Sequence, residues 1–183
     1  SNHSTQVAGS LIGSGNGNTF AKGMAPSATL WAYDYANSSD YSEMVLAASM
    51  GLLISNHSYV YISGWQGSKW WGDTIKSHKE DRGFGAYYYS QWLDSMTYLA
   101  PYYLIVRAAG NDRDDSPPSP GGTFYYGSNP SPFIMNTGDS TRSPDPDGGS
   151  DRYECIPWRG NAKNILTVGA VHNVSSYSSS SDV

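Results

Sequence analysis

The chain begins close to a histidine whose setting suits a general base. His3 opens the run His-Ser-Thr-Gln-Val-Ala-Gly of residues 3–9. The apolar residues that follow recur at the spacing of one helix face: Val7, Ala8, Leu11 and Ile12. His3 is therefore predicted in the first turn of a short helix, which holds its ring rigidly and points it outward for proton transfer. These residues alone leave open a surface or capping histidine as the alternative.

The second candidate is Asn111, which follows a buried strand predicted for residues 104–106. Between that strand and the asparagine lie Ala108, Ala109 and Gly110, which leave the main chain almost bare. A ligand can lie against a strand edge stripped of bulky side chains. The amide of an asparagine just beyond such an edge is a donor of the kind used in oxyanion holes.

Both stretches, in this order, resemble motifs of the subtilisin-like serine proteases (subtilases). Residues 3–9 resemble the family's His-Gly-Thr-His-Val-Ala-Gly, and residues 108–111 match its Ala-Ala-Gly-Asn. Further stretches resemble family strand motifs in the same order along the chain: residues 23–30, 54–59 and 164–171. Single matches of this kind are weak, but ordered matches along nearly the whole chain are specific. The sequence Ser-Asn-His-Ser-Tyr of residues 55–59 and the long insertions most resemble a divergent branch of the family, seen in Bacteroidetes-type bacteria.

The order of elements predicts an α/β fold. A strand over residues 28–33, a helix opening at Asp40 or Ser42, and a strand over residues 54–61 imply a parallel sheet with crossovers. A further helix is predicted over residues 87–98, with Tyr88, Trp92, Ser95, Met96 and Leu99 on one face. The resemblance implies a three-layer fold, with a mostly parallel sheet between helices on both faces. Ligands bind such sheets beyond the carboxyl ends of the strands.

The resemblance also implies that residues 1–183 are the central portion of one catalytic domain, incomplete at both ends. In the family an aspartate precedes the histidine motif, and the nucleophilic serine follows in a Gly-Thr-Ser motif. No aspartate precedes His3, and no Gly-Thr-Ser occurs in the sequence. We therefore expect the Asp-bearing and Ser-bearing parts to lie outside this chain, and the chain by itself to be inactive.

The resemblance assigns roles to individual residues. His3 is the general base of an Asp/His/Ser triad, and Asn111 donates to the oxyanion. Ser58 and Tyr59 line one backbone edge of the substrate cleft, and Ala108, Ala109 and Gly110 line the other. A peptide or protein substrate is expected to bind between these edges as an added strand.

Three residues depart from the family pattern. Ser4 replaces the glycine after the histidine, Gln6 replaces the second histidine, and Val60 stands where a glycine follows the substrate edge. The first two lie beside the base and leave His3 in place. They support an alternative, a degenerate pseudoprotease that keeps the fold as a peptide-binding or structural module. An α/β domain whose Trp and Tyr residues bind sugars is a third hypothesis, outside the family.

Composition limits the partners. The net charge of −5 argues against nucleic acid, and no apolar run is long enough to span a membrane. The single cysteine, Cys155, excludes an internal disulfide. Charged residues make up only 15% of the chain, while Tyr and Trp are abundant. This composition suits a secreted protein with large polar loops, and the resemblance implies a secreted or cell-surface bacterial protein.

Two loop-rich stretches carry further candidates. Within residues 63–85, Trp65, Trp70 and Trp71 either form a carbohydrate or peptide platform or, as we favour, cover the sheet edge. Within residues 112–160, three acidic side chains could hold Ca²⁺: Asp112, Asp114 and Asp115. Structural calcium is common in the family, but these positions match no family motif, and a solvated acidic loop is favoured. The chemistry implied requires no cofactor, and no metal ligand is assigned.

Overall fold

The computed structural model describes four stretches of the chain: residues 2–33, 40–71, 87–136 and 156–170. They belong to two compact units, Ser1–Met50 and Gly51–Val183. The first unit contains the helices α1 (Asn2–Ile12) and α2 (Asp40–Ser49), which confirms both helices predicted there. In α2, Met44 and Ala47 are buried three residues apart on one face, and acidic residues in its first turn complement the helix dipole.

After α1 the chain makes a loop and returns across the end of the helix. The main-chain N–H groups of Met24 and Ala25 donate to the carbonyls of Ser10 and Leu11, at 3.1 and 2.7 Å. The last carbonyls of a helix have no partner within it, so the returning segment acts as its C-terminal cap. The loop between them includes the 3₁₀ turn Thr19–Ala21, which is capped by the Asn18 side chain accepting from the main-chain nitrogen of Phe20.

The return requires a glycine at position 23. A Cβ on Gly23 would lie 2.5 Å from the nitrogen of Gly13 and 2.8 Å from the nitrogen of Ile12. Because both atoms are backbone, they cannot move aside. We expect Gly23→Ala in the full-length protein to lower the free energy of unfolding by about 1–3 kcal/mol, measured by urea denaturation. Gly17→Ala is the control, because no atom lies within 4 Å of that site. Equal urea midpoints for the two variants would contradict the close-packing argument.

The strand predicted for residues 28–33 is wrong. These residues form no strand, and Leu30, Trp31 and Tyr33 are all partly exposed. Their aromatic and apolar composition suits a strand, but a strand exists only through hydrogen bonds to a neighbour. Within the described part of the first unit, no segment pairs with these residues.

The second unit is built on a parallel sheet. Its strands lie in the order β1–β4–β7, with β1 at Ile54–His57, β4 at Leu104–Ala108 and β7 at Leu166–Val168. Both pairings are parallel, which confirms the predicted α/β class with a parallel sheet. The strands are shorter than predicted: β1 ends at His57 and not at residue 61, and β7 ends at Val168. Residue 171 lies outside the described residues.

The two faces of this sheet differ in burial. Ile105 is completely buried, and Arg107 and His57 are buried on the same face. Leu104 points to the other face and is 38% exposed, together with its register partner Ile54. The prediction that residues 104–106 are buried throughout is therefore wrong for Leu104, because successive side chains of a strand alternate between faces.

Helix α3 (Tyr87–Leu99) precedes β4 and confirms the predicted helix. Among the side chains of this helix that the structure describes, Leu93, Met96 and Thr97 are buried. The buried face of α3 therefore differs from the predicted one. Met96 belongs to both faces, but Ser95 is exposed and Leu99, the last residue of the helix, is 81% exposed. The side chain of Tyr88 lies outside what the structure describes.

Polar groups of α3 hold the segment that leads into β7. The Oδ1 atom of Asp94 accepts hydrogen bonds from the main-chain nitrogens of Lys163 and Asn164, at 2.7 and 3.0 Å. The Ser90 hydroxyl donates to the carbonyl of Trp158, in the 3₁₀ turn Trp158–Asn161. These bonds satisfy backbone groups before β7 and fix the position of the segment relative to the helix.

A second, mixed sheet was not predicted. Its strands lie in the order β2–β3–β5–β6, and their bounds are Gly64–Gln66, Lys69–Trp71, Thr123–Tyr126 and Phe133–Ile134. Its core consists of four buried side chains: Trp65, Trp70, Phe124 and Met135. The long excursions therefore contain an ordered subdomain around this sheet.

This core corrects both interpretations of Trp65 and Trp70. They face each other across the β2–β3 hairpin, with ring centroids 5.0 Å apart, and are almost fully buried. Directly paired residues of two antiparallel strands lie on one face, which here is the inner one. Neither residue can form a ligand platform or cover the edge of the parallel sheet. Trp71 points the other way and is half-buried.

Candidate active site

His3 lies in the first turn of α1 and is exposed, as predicted. Ser4 and Gln6, which differ from the family motif, lie in the same helix and are also exposed. The unusual side chains beside the histidine therefore replace no buried packing group. The imidazole is carried on a helix and is open to solvent, which suits proton transfer. The role of His3 as general base stays a prediction.

The bare edge after β4 has the predicted form. The nitrogen of Ala109 donates to the carbonyl of Val168 at 2.9 Å, so the ladder continues one residue beyond β4. Gly110 then adopts a φ of 106°, in the region that favours glycine, and a Cβ there would lie 3.3 Å from Pro157. Asn111 follows and is exposed. Its amide is thus presented from a turn that only glycine makes without strain.

Asp112, directly after Asn111, is a buried carboxyl group with a raised pKa. It is only 7% exposed, which corrects the prediction of a solvated acidic loop at this position. Burial raises its pKa to about 6; a hydrogen bond from the main chain of Ser63 opposes this shift, and the nearby charge of Asp115 adds to it. Among the described residues, Oδ2 has no hydrogen-bond partner. No group of three metal-ligating side chains occurs in the same described stretches.

The shift has a consequence for stability. A carboxyl whose pKa is higher in the folded than in the unfolded protein stabilises the fold at low pH, and this contribution is lost as pH rises. A rise of the pKa from about 3.8 to about 6 corresponds to a loss of at most about 3 kcal/mol in the free energy of unfolding. We expect Asp112→Asn in the full-length protein to reduce the fall in unfolding free energy between pH 4 and pH 7.5, measured by urea denaturation. Asp114→Asn, an exposed neighbour, controls for the lost charge. An identical pH slope in wild type and Asp112→Asn would contradict the assignment.

The other predicted edge follows the end of β1. Ser58 and Tyr59 are half-buried, and the Ser58 hydroxyl accepts from the Asn56 amide at 2.9 Å. Because β1 and β4 are parallel neighbours in register, this segment and residues 108–110 leave the sheet at the same edge. Val60, the third departure, is half-buried beside Tyr59.

The structure thus brings together the two proposed edges and Asn111, all within the second unit. His3 belongs to the first unit. That His3 and Asn111 share one site stays a prediction.

Two features near these edges were not predicted from the sequence. One is the burial of Asp112, which was considered only as a calcium ligand or a solvated carboxyl and lies near the distant Ser63 and Pro157 segments. The other is His57, which is buried between Ser55 and Tyr59. A signal for the second existed: residues 55, 57 and 59 are polar or amphipathic with period two, which indicates one strand face.

The chain was compared with known proteins. The model of the Subtilase family matches residues 1–183, the whole chain. Neither the curated proteins nor the solved structures gave a match. No helix of the described residues is long and apolar enough to cross a membrane. The family match agrees with the parallel sheet and with the ordered motifs around His3 and Asn111: the chain belongs to the subtilase family of serine proteases.

Proposed function

We propose that this chain is the central portion of a serine endopeptidase, with His3 as general base and Asn111 as oxyanion donor. The observation that carries the proposal is the presentation of Asn111. It is exposed directly after a glycine with φ of 106°, at the end of the bare edge that follows β4. A module that only bound peptides would need neither this asparagine nor an exposed histidine at a helix start.

The proposed mechanism follows from the chemistry of these groups. A serine from the part of the domain beyond this chain attacks the scissile carbonyl, and His3 takes its proton. An aspartate from the preceding part holds the imidazole in the required tautomer. Asn111 donates a hydrogen bond to the oxygen as negative charge develops on it. His3 then returns the proton to the leaving amine as the C–N bond breaks, which leaves an acyl ester on the serine. Water attacks this ester, His3 takes a proton from the water and gives it to the serine oxygen, and the acid product leaves.

Substrate binding is proposed to use main-chain groups. A peptide lies between the segment of Ser58 and Tyr59 and the segment of Ala108, Ala109 and Gly110. Two backbone edges at the same end of a parallel sheet offer hydrogen bonds to an extended chain on both sides. Small residues on one edge allow close approach, while Tyr59 supplies an aromatic surface on the other.

We further propose that the protein acts outside the cell or at its surface, on peptides or proteins. The low content of charged side chains and the abundance of Tyr and Trp support this. Besides substrates, the expected partners are the remaining parts of its own domain; a net charge of −5 does not suit nucleic acid. Structural calcium remains unassigned to any residue.

The test is covalent labelling of the protein made from its complete gene by a fluorophosphonate probe. We expect one labelled serine, identified by peptide mapping, in a Gly-Thr-Ser context. The isolated chain of 19.8 kDa is expected not to react, since it contains no such motif. A folded, full-length protein that binds peptides but does not label would overturn the proposal in favour of the pseudoprotease alternative.

A further inference from the structure

A chain of four polar side chains lies at the carboxyl end of β1. The Tyr103 hydroxyl donates to Ser55 Oγ at 2.7 Å, and Ser55 Oγ lies 2.8 Å from His57 Nε2. On the other side of the ring, His57 Nδ1 lies 2.7 Å from the Tyr59 hydroxyl. His57 is 7% exposed and Tyr103 is buried, while Tyr59 is half-buried at the proposed substrate edge. This series of hydrogen bonds therefore leads from the protein interior to the proposed substrate edge.

The two hydrogen bonds of the ring are linked through its tautomer. A neutral ring protonated at Nδ1 accepts from Ser55 and donates to Tyr59, and one protonated at Nε2 does the reverse. In either case the Tyr59 hydroxyl is hydrogen-bonded to Nδ1, and Ser55 joins the ring to Tyr103.

A buried cation makes a second contact with Tyr59. Arg107 is the register partner of His57 on β4 and is almost completely buried. Its guanidinium lies 5.2 Å from the centre of the Tyr59 ring, within the range of a cation–π contact.

Tyr59 is thus held at two points: its hydroxyl by His57, and the face of its ring by Arg107. A side chain fixed before the substrate arrives loses less conformational freedom on binding. We propose that His57 is a positioning residue that holds Tyr59 in place for peptide binding. This inference rests on the proposed function, since it takes Tyr59 to line the substrate cleft.

The role predicts a specific kinetic pattern in the full-length protein. His57→Leu keeps the volume but removes both hydrogen bonds, and we expect it to raise KM for an extended peptide about three- to tenfold with kcat nearly unchanged. His57→Asn places an amide near the position of Nδ1 and is expected to restore much of the lost affinity. The two substitutions His57→Leu and Tyr59→Phe are expected to be non-additive, because they break the same bond.

A matched control separates positioning from general destabilisation. Thr97 is buried on α3, and its hydroxyl donates only within that helix. Thr97→Val removes a buried hydroxyl without touching Tyr59, so it is expected to leave KM unchanged at a similar cost in stability. If His57→Leu behaves like Thr97→Val in KM, or if His57→Asn fails to restore affinity, the positioning role is overturned.

A second measurement keeps this test apart from the test of the proposed function. Nitrogen NMR of the full-length protein, labelled at histidine, reports which ring nitrogen carries the proton. We expect the Nδ1 signal of His57 to shift in Tyr59→Phe, because this substitution removes the hydrogen-bond partner of that nitrogen. A wild type that does not react with fluorophosphonate refutes the proposed function, and the Nδ1 signal then tests the hydrogen bond to Tyr59 by itself. An Nδ1 signal that is the same in wild type and Tyr59→Phe would overturn the inference.

Discussion

In the full-length protein, His3→Ala is expected to abolish fluorophosphonate labelling and to lower kcat by about 10⁶, a magnitude carried over from subtilisin. A serine hydroxyl is a poor nucleophile unless a base removes its proton during attack. No other described histidine can replace it: His57 is buried and both of its ring nitrogens have hydrogen-bond partners. The loss should therefore be close to the full contribution of the base.

The measurement is the rate of labelling, followed by intact mass of the protein over time. Folding is expected to survive the substitution, because α1 has no buried residues and alanine is the best helix former. The controls are Ser4→Gly and Gln6→His, which restore the family residues beside the base and should keep labelling. Undiminished labelling of His3→Ala would refute the assignment of His3 as the base.

The sequence predicted those parts of the fold that depend on local periodicity. The helices α1, α2 and α3 have apolar residues at helical spacing, and β4 is a short, mostly apolar run before a glycine. The stretches that contain β1 and β7 were identified by their resemblance to family strand motifs. It failed where structure depends on a distant partner. Residues 28–33 have the composition of a strand but no neighbour in the described part of their unit, whereas β2 and β3 are three-residue strands too short to show a period.

The candidate site also has features that follow from neighbouring residues and features that depend on distant segments. The exposed positions of His3 and Asn111 follow from residues next to them; the catalytic roles that the resemblance implies for both stay predictions. The hydrogen bond that Asp112 accepts comes from Ser63, and the hydrogen-bond chain of His57 is anchored through Ser55 to Tyr103; both partners lie far along the chain. A sequence pattern marks which residues can do chemistry, but not which distant side chains fix them.

Asn111→Ala is expected to lower kcat by about 10²–10³ and to leave KM nearly unchanged, a magnitude established on subtilisin itself. The negative charge that the amide stabilises exists only in the transition state and the tetrahedral intermediate, so ground-state binding loses little. In contrast to His3→Ala, this variant keeps the base, and it should still label to completion, only more slowly. The measurement is steady-state hydrolysis of an extended peptide together with the labelling rate.

The exposure of Asn111 allows an effect on catalysis to be separated from an effect on stability. Asn111 is exposed, so truncation to alanine leaves no cavity and should not lower stability appreciably. Asn136→Ala, another exposed asparagine of the same unit, is the control and should retain wild-type kcat. A raised KM with intact kcat would mean that Asn111 binds the substrate and not the developing oxyanion. An unchanged kcat and KM would remove it from the site, and the glycine turn at Gly110 would then serve only the close approach of Pro157.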